Sequence, residues 1–552
     1  MRTFRRVGVV GLGIMGAGIA EVFARAGIDV VGIEMDAAAL ERGVGHLSAS
    51  TDRAVARGKL TAEEQSLILR RVTFSASLAD LADVDLVVEA VPEVMELKTR
   101  LFTELDRVCK PSAILATNTS SLSVTAIAAT TGRPEQVIGV HFFNPAPIMR
   151  LVEIVRTVLT PDDVARDVAE FVARLGKTTV TVGDRAGFVV NRLLLGYLNH
   201  AAHLLDAGIA SRDDVDTAMR LGAGLPMGPF ALLDLIGLDT SYGVCEVLFR
   251  ESRDRRHAPA PILRELVTAG LLGRKSGRGF HSYDRPPADR GPAEEGVPAA
   301  RIERVGVVGS GEQARRVTAE FARAGFEVVF TARSAAEVDE AIAATDLPGD
   351  ARVSGVTEIA GLAGAGLLVE AAGEERILER AVLAGLDEIA GPDTIVATTV
   401  ASIPVVELTA GLSHPGRVVG LHFVGDRVAE VAATVRTEES AVSAVLDAVR
   451  RLGREPVRCK DRAGFVVNAL LYPYLNDAVR MYESGYASIE DIDTAMRLGC
   501  GYPVGPFETL DRIGLETVRD GLRALYAEYR EPAYAPAPLL DQLVTAGVQA
   551  FR

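Results

Sequence analysis

At 552 residues the chain is several times the size of a single folding core, and its 48% apolar and 24% charged residues are those of an ordinary, well-packed globular protein. A formal charge of -15 argues against nucleic acid or an anionic membrane as a partner, because no basic stripe outweighs that field, and an anionic ligand would need a local basic patch. The four cysteines, Cys109, Cys245, Cys459 and Cys500, stand far apart without CxxC or Cys/His spacing, which speaks against a metal centre or a disulfide framework and for a reducing cytoplasm.

The stretch VGVVGLGIMGAGIAEVFARAGIDVVGIE, from Val7 to Glu34, runs from an apolar segment through a glycine-rich turn and a helical pattern to a second apolar segment. Gly11, Gly13 and Gly16 have the GxGxxG spacing of a dinucleotide-binding turn. The first glycine permits the tight turn, the second lets backbone amides approach a pyrophosphate, and the third allows the helix to lie close to the strand. The free N–H groups and dipole of the helix N-terminus then favour phosphate. Glu34, at the tip of the second strand, suits an adenosine ribose and repels a 2′-phosphate, so NAD is expected rather than NADP.

Further apolar runs, LVVEAV, AILATN and VIGVHFF, alternate with helical patterns, which is the signature of a parallel sheet with crossover helices. The first domain therefore reads as a doubly wound, Rossmann-type α/β fold. One strand ends at His141, and Glu153 follows 12 residues later (153 − 141) in another apolar strand, LVEIV. A turn built on Asn144, Pro145 and Pro147 brings the two strands side by side, so that the carboxylate holds one imidazole nitrogen. An imidazole oriented in this way suits the base that accepts a hydroxyl proton while an alcohol gives up hydride. After about residue 188 the pattern changes to long amphipathic stretches, the mark of a smaller helical domain.

The pattern then repeats. RVGVVGLGIMG at 6–16 returns as RVGVVGSGEQA at 304–314, DRAGFVVN at 184–191 recurs at 461–468, and DTAMRLGAGLPMGPF at 216–230 recurs as DTAMRLGCGYPVGPF at 493–507. A Pro-, Gly- and charge-rich stretch between the copies reads as a solvated linker. The expected organisation is α/β plus all-α in two tandem units: a Rossmann-type domain over 1–187, a helical domain over 188–283, a linker over 284–302, a degenerate Rossmann-type domain over 303–464 and a second helical domain over 465–552.

NTSSL at 118–122, HFFNPAPIMRLVEIV at 141–155, GFVVNR at 187–192 and GRKSGRGF at 273–280 resemble the motifs of the (S)-3-hydroxyacyl-CoA dehydrogenases, and most of all those of the bacterial 3-hydroxybutyryl-CoA dehydrogenases. The resemblance covers nearly all of residues 5–283. It implies that His141 is the general acid/base, that Glu153 orients it, and that Ser120 and Asn191 hydrogen-bond the substrate oxygen or the histidine. It also implies that Glu93, Lys98 and Lys275 lie beside the cofactor, that Asn144 helps to bind substrate, and that residues 48–65 form a helical arm for CoA. Ser50, Arg53 and Arg57 share one face of that arm, so their donors can converge on phosphates. The implied reaction is the reversible, NAD-dependent oxidation of a short-chain (S)-3-hydroxyacyl-CoA, such as 3-hydroxybutyryl-CoA, to the 3-ketoacyl-CoA. The alternatives are a specialised dicarboxylic, aromatic or carrier-bound 3-hydroxyacyl substrate, or a non-enzymatic NAD(H)-binding regulator. Helical domains of this family form dimer contacts, so the two in this chain are expected to pack as an intrachain pseudo-dimer, with further homo-oligomerisation left open.

The second copy departs from this pattern. Gly311 is followed by Glu312, Gln313 and Ala314, and Ala332 stands where Glu34 stands in the first copy, so a weak or empty nucleotide site is expected. His422 and Asn468 are kept. In the alignment of the two copies Ser120 falls on Ala401, Asn144 on Gly425, Glu153 on Ala433 and Lys98 on Glu379, so His422 is expected to lack an acidic partner.

Overall fold

The computed structural model describes residues 2–283, 301–309, 311–344, 351–373 and 376–552. The expected linker falls almost wholly outside the described residues. The first copy opens with β1 (Arg6–Val10), α1 (Ile14–Arg25), β2 (Asp29–Ile33), α2 (Ala37–Ala56), α3 (Ala62–Arg70), β3 (Val72–Ser75), β4 (Leu86–Glu89), α4 (Met95–Val108), β5 (Ile114–Thr117), α5 (Val124–Ala128) and β6 (Val137–Phe142). It continues with β7 (Leu151–Arg156), α6 (Asp162–Arg174), β8 (Thr178–Gly183), α7 (Val190–Asp206), α8 (Arg212–Thr217), α9 (Pro229–Ile236), α10 (Leu238–Ser252) and α11 (Pro261–Thr268).

The second copy follows the same plan. Its sheet region comprises β9 (Arg304–Val308), α12 (Glu312–Arg323), β10 (Glu327–Thr331), α13 (Ala335–Ala344), β11 (Val353–Val356), β12 (Leu367–Glu370), α14 (Arg376–Ile389), β13 (Ile395–Thr398), α15 (Val405–Leu408), β14 (Val418–Val424), β15 (Val428–Ala433), α16 (Glu439–Arg451) and β16 (Glu455–Lys460). Its helices are α17 (Val467–Glu483), α18 (Ile489–Cys500), α19 (Pro506–Ile513), α20 (Leu515–Tyr529) and α21 (Pro538–Thr545). Among the described residues no helix is long and apolar enough to cross a membrane.

Each copy builds an eight-stranded sheet, ordered β3-β2-β1-β4-β5-β6-β7-β8 in the first and β11-β10-β9-β12-β13-β14-β15-β16 in the second. The strands pair in parallel except at β6/β7 and β14/β15, which are antiparallel. The order reverses between β1 and β4, and at such a switch point the flanking connections diverge and leave a crevice beyond the strand ends. The central strands β1, β4, β5 and β6 and their counterparts are largely buried and rich in Val, Ile, Leu and Ala, because helices cover both faces, whereas the edge strands β3, β8, β11 and β16 are partly exposed.

The compact units cut across the two copies. One comprises residues 1–196, 244–258 and 477–509, and the other comprises 197–243, 259–476 and 510–552. In the first unit, the second copy's helical segment lies against the first sheet: Gly183 N–H donates to Tyr486 O at 3.1 Å, and Gly499 packs close to Leu151 and Val190. In the second unit the reciprocal segment does the same: Lys460 N–H donates to Ile209 O at 2.7 Å, and Ala210 bridges Cys459.

Candidate active site

β1 ends at Val10 and α1 begins at Ile14, so the residues from Gly11 to Gly13 make the whole connection. Gly11 has φ +88°, and a Cβ there would come within 2.8 Å of Ala90 O. On Gly16 a Cβ would stand 1.7 Å from Gly11 O, an overlap that no rotamer relieves. Gly13 is different, since nothing lies within 4 Å of the place its Cβ would take. It lines an open cleft with Gly11, Ile33, Glu34, Ala90 and Val91, so a side chain there would fill the cradle rather than strike protein. The residues fit a dinucleotide: the amides of this turn would face its pyrophosphate and Glu34 its ribose. Glu34 is fixed, with Oε1 accepting from Leu12 N–H at 2.6 Å and Oε2 from Met35 N–H at 3.2 Å.

That fixed charge predicts the cofactor preference. A 2′-phosphate placed a few ångströms from it meets repulsion of about 1–4 kcal/mol, so kcat/KM with NADH should exceed that with NADPH by roughly tenfold or more. Parallel assays with the two reductants check this, and equal rates would remove Glu34 from that role.

The antiparallel register of β6 and β7 sets His141 directly opposite Glu153. Nδ1 of His141 lies 2.7 Å from Glu153 Oε2, and the carboxylate is fully buried. Its other oxygen accepts the N–H groups of Val189 and Val190, both at 3.1 Å. These donors sit at the start of α7, where helix amides have no intrahelical acceptor. Gly187 and Phe188 reach this point through left-handed backbone, φ +76° and +45°, and the Phe188 ring centroid lies 5.6 Å from that of His141. A carboxylate on Nδ1 makes that nitrogen the N–H donor and leaves Nε2 with the lone pair, as a general base requires. Asn191, half-buried, is the second residue of the same helix.

A second buried network lies behind the turn after β5. Lys98 Nζ sits 2.6 Å from Glu89 Oε1 and 3.3 Å from Glu93 Oε2, with Lys98 and Glu89 shut away from solvent. Thr117 Oγ1 donates to Glu89 at 2.7 Å. Glu93 Oε1 accepts from Thr119 Oγ1 at 2.6 Å and from Ser120 N–H at 2.9 Å, with Ser120 Oγ at 3.4 Å. Burial raises the Glu93 carboxyl, but Lys98 and these donors outweigh it and hold the group below its ordinary value. Lys98 is thus enclosed by protein carboxylates, and any influence it has on a cofactor runs through Glu93. Glu89 and Thr117 gave no signal in the sequence, because an acid at a strand end looks the same whether buried or solvated.

Of the other expected site residues, Asn144 is exposed on the turn between β6 and β7. Ser50 is half-buried on α2, while Arg53 and the C-cap Arg57 are exposed. Lys275 belongs to the other compact unit, where its Nζ lies 2.7 Å from Asp239 Oδ2.

The second copy corrects one expectation. His422 does have an acidic partner, Glu430, with Nδ1 2.7 Å from Oε2, and Glu430 Oε1 accepts from Val466 and Val467 N–H at 3.0 and 2.9 Å. The pair reproduces His141–Glu153, down to the positive φ of Phe465 at 48°. The expectation failed because the turn is four residues shorter: histidine and acid are 12 apart in the first copy and 8 in the second, so an alignment that ignores the shortened turn passes Glu430 and falls on Ala433. Strand register, which pairs His422 with Glu430, decides the matter. The losses that stand lie elsewhere. Ala314 replaces Gly16, and Gly309 opens to φ +137° where Gly11 has +88°. The exposed Glu312 occupies the first turn of α12, where a pyrophosphate would come.

A doubly wound sheet with a dinucleotide turn and a histidine oriented by a buried carboxylate defines a nicotinamide-dependent dehydrogenase. The 3-hydroxyacyl-CoA dehydrogenase NAD-binding domain matches residues 6–185 and again 304–462, and the C-terminal domain of the same family matches 187–283 and 464–549. The chain belongs to the 3-hydroxyacyl-CoA dehydrogenase family, an NAD-dependent one, as a tandem duplication. It is similar over its whole length to a 3-hydroxyadipyl-CoA dehydrogenase of Escherichia coli K12, at 34% identity over 98% of each chain. One half of it is 47% identical to a 3-hydroxybutyryl-CoA dehydrogenase of Mycobacterium tuberculosis, covering 50% of this chain and 98% of that one. Among solved structures, a 3-hydroxybutyryl-CoA dehydrogenase from Escherichia coli K12 matches with a TM-score of 0.76 and 31% identity, over 99% of this chain and 100% of that one.

Proposed function

We propose that the first copy holds the chain's one working site and that it interconverts short-chain (S)-3-hydroxyacyl-CoA and 3-ketoacyl-CoA, with 3-hydroxybutyryl-CoA as the type of substrate. The observation that carries this reading is the buried His141–Glu153 pair on a sheet whose neighbouring switch point holds the dinucleotide cradle. NAD, when bound, supplies the hydride acceptor. His141 Nε2 takes the proton of the 3-hydroxyl group, and Glu153 stabilises the imidazolium that forms. Ser120 and Asn191 hold the substrate oxygen. Ser50, Arg53 and Arg57 steer the CoA phosphates, and Asn144 borders the acyl group. Domain boundaries fall near residues 187, 283, 303 and 464.

A second reading, a dicarboxylic acyl chain, is favoured by the full-length similarity to the 3-hydroxyadipyl-CoA dehydrogenase. NADH consumption with acetoacetyl-CoA, longer 3-ketoacyl-CoA thioesters and 3-ketoadipyl-CoA separates the two. Preference for the dicarboxylic thioester replaces the first reading by the second, and no turnover with any of them rejects both.

We further propose that the helical domains form an intrachain pseudo-dimer. This is supported by the compact unit that joins residues 477–509 to the first sheet and by its counterpart that joins 197–243 to the second. A reducing cytoplasm suits the free cysteines among the described residues. The second site is expected to be silent even though its histidine and acid are paired. His422→Ala should change turnover by less than about threefold, since a group that meets no cofactor contributes none of the roughly 10²–10⁴-fold effect of acid-base catalysis. A loss as large as that of His141→Ala, in a folded variant, would make the second copy a working site.

A further inference from the structure

Within the first compact unit, α18 of the second copy runs along the edge of the first sheet and ends beside the catalytic acid. Asp491 near its start accepts the Thr181 N–H of β8. Near its other end, a Cβ on Gly499 would stand 2.8 Å from Val190 Cγ2, 3.2 Å from Val190 Cγ1 and 3.1 Å from Leu151 Cδ2. Both neighbours support the His141–Glu153 pair: Leu151 shares β7 with Glu153, and the Val190 N–H is one of the two amides that Glu153 Oε1 accepts. A glycine inside a helix costs about 0.5–1 kcal/mol relative to alanine. On α18 that cost is met by the close approach to Val190, which no larger residue allows.

The same stretch of the second copy encloses the carboxylate. Glu153 is fully buried. Burial pushes up the Tyr486 phenol and the Cys500 thiol, and in each the charge of Glu153 adds to the effect. Two second-copy side chains thus lie within the field of the first copy's catalytic acid, in the protein that keeps water from it.

The duplication supplies an internal control. DRAGFVVN recurs 277 positions on (461 − 184), and the same offset relates the Asn199–Ala260 contact to Asn476–Ala537. At that offset Gly499 corresponds to Gly222, Cys500 to Ala223 and Tyr486 to Ile209. In the second compact unit a Cβ on Gly222 would stand 3.1 Å from Val424 Cγ1 and 3.4 Å from Val467 Cγ2, and the Val467 N–H donates to Glu430. Each copy's helical segment therefore braces the dyad of the other, and a single methyl group can be placed against either dyad in turn.

We propose that the first copy's active site is completed across the duplication: α18 of the second copy forms its rear wall, and Gly499 is a positioning residue that sets the Val190 amide and, through it, the carboxylate that orients His141. This rests on the reading that the first copy is the working site. It gives the second copy a part in turnover that needs no chemistry of its own. The branched side chain of Val190 has little rotamer freedom in a helix, so pressure on it passes to its backbone. A misplacement of about 1 Å caused by a residue remote from the reacting atoms can lower a rate by as much as about 100-fold.

The test is acetoacetyl-CoA reduction by the full chain carrying Gly499→Ala or Gly222→Ala, with melting curves to show that both fold, as alanine's helix preference favours. In Gly499→Ala kcat should fall about tenfold or more. KM for acetoacetyl-CoA and Kd for NADH should stay within about threefold of the parent, as expected when only transition-state alignment is lost. Val190→Ala removes both Cγ atoms that the new methyl group meets, so the double variant should match Val190→Ala alone, the non-additivity of residues in contact. Gly222→Ala presses on the silent dyad and should leave kcat unchanged, whereas a merely structural role for these glycines would lower both variants alike. Unchanged kcat in folded Gly499→Ala, equal losses in the two variants, or a double variant worse than Val190→Ala overturns the proposal and leaves the first copy's role in place. A loss confined to Gly222→Ala would instead move the working site to the second copy and overturn both readings.

Discussion

His141→Ala is expected to lower the rate of acetoacetyl-CoA reduction by about 10²–10⁴-fold while leaving the fold intact. The ring touches Phe143 and Phe188, but among the described residues its polar partner is Glu153, and the turn of α7 keeps that carboxylate in place through Val189 and Val190. Glu153→Gln should be nearly as damaging, for a different reason. A glutamine can still accept from the helix amides through its carbonyl oxygen, which turns its NH₂ toward His141 Nδ1. That amide donates where the carboxylate accepts, so it selects the tautomer with hydrogen on Nε2 and leaves the base without its lone pair. Charge stabilisation of the imidazolium is lost as well. Single-turnover NADH oxidation by both variants, with melting curves to show that they fold, measures this. Retention of more than about a tenth of the parent rate by folded His141→Ala falls short of what general acid-base catalysis contributes and would remove the histidine from the proton-transfer step.

Legibility of this site in the sequence depended on what kind of fact was being read. The dinucleotide turn is readable because Gly11, Gly13 and Gly16 answer to local backbone geometry, and the pairing of His141 with Glu153 is readable because two flanking apolar runs and a proline turn permit it and the resemblance of HFFNPAPIMRLVEIV to the family motif singles it out. β3 and β8 were not singled out, since VTFS is short and TTVTVG alternates threonine with valine, and only docking against neighbours makes them strands. The burial of Lys98 was invisible for a related reason: an EVMELK helix start shows an ordinary surface pattern, and the carboxylates that receive the lysine come from β4 and the turn after it. Glu430 escapes alignment with Glu153 because a shortened turn changes spacing without changing register. Spacing counted along the chain is a property of loops, whereas catalytic pairing here is a property of the sheet.

Lys98→Met should be the most destabilising single change in the first sheet domain, by about 3–5 kcal/mol, because breaking a buried ion pair strands the opposite charge. The lysine side chain is 1% exposed and Glu89 is fully buried, so water cannot take over either role. Removing the cation leaves two carboxylates, Glu89 and Glu93, facing the space that it filled. The sign of the pH dependence follows from Glu93. Burial alone would raise its carboxyl, and Lys98 is the largest of the influences that instead hold it below its ordinary 4.5. In the parent, then, this group contributes stability that is present above 4.5 and is lost as the pH falls through its depressed value. In Lys98→Met burial acts unopposed by the ammonium, the carboxyl rises, and protonation relieves the variant while it harms the parent. The gap in urea midpoint between the two should therefore be widest near neutrality and narrow toward pH 4. The second copy shows the same framework without the cation: Glu379 stands at the lysine's position on α14, and burial pushes Glu370, the counterpart of Glu89, upward. Because that copy also lacks the cofactor turn, the cation is read as support for Glu93 and the loop carrying Ser120, so Lys98→Met should lower kcat in the folded state as well. A variant with an unchanged midpoint at pH 7, or a gap that stays constant down to pH 4, would show that Glu93 does not depend on the lysine for its charge.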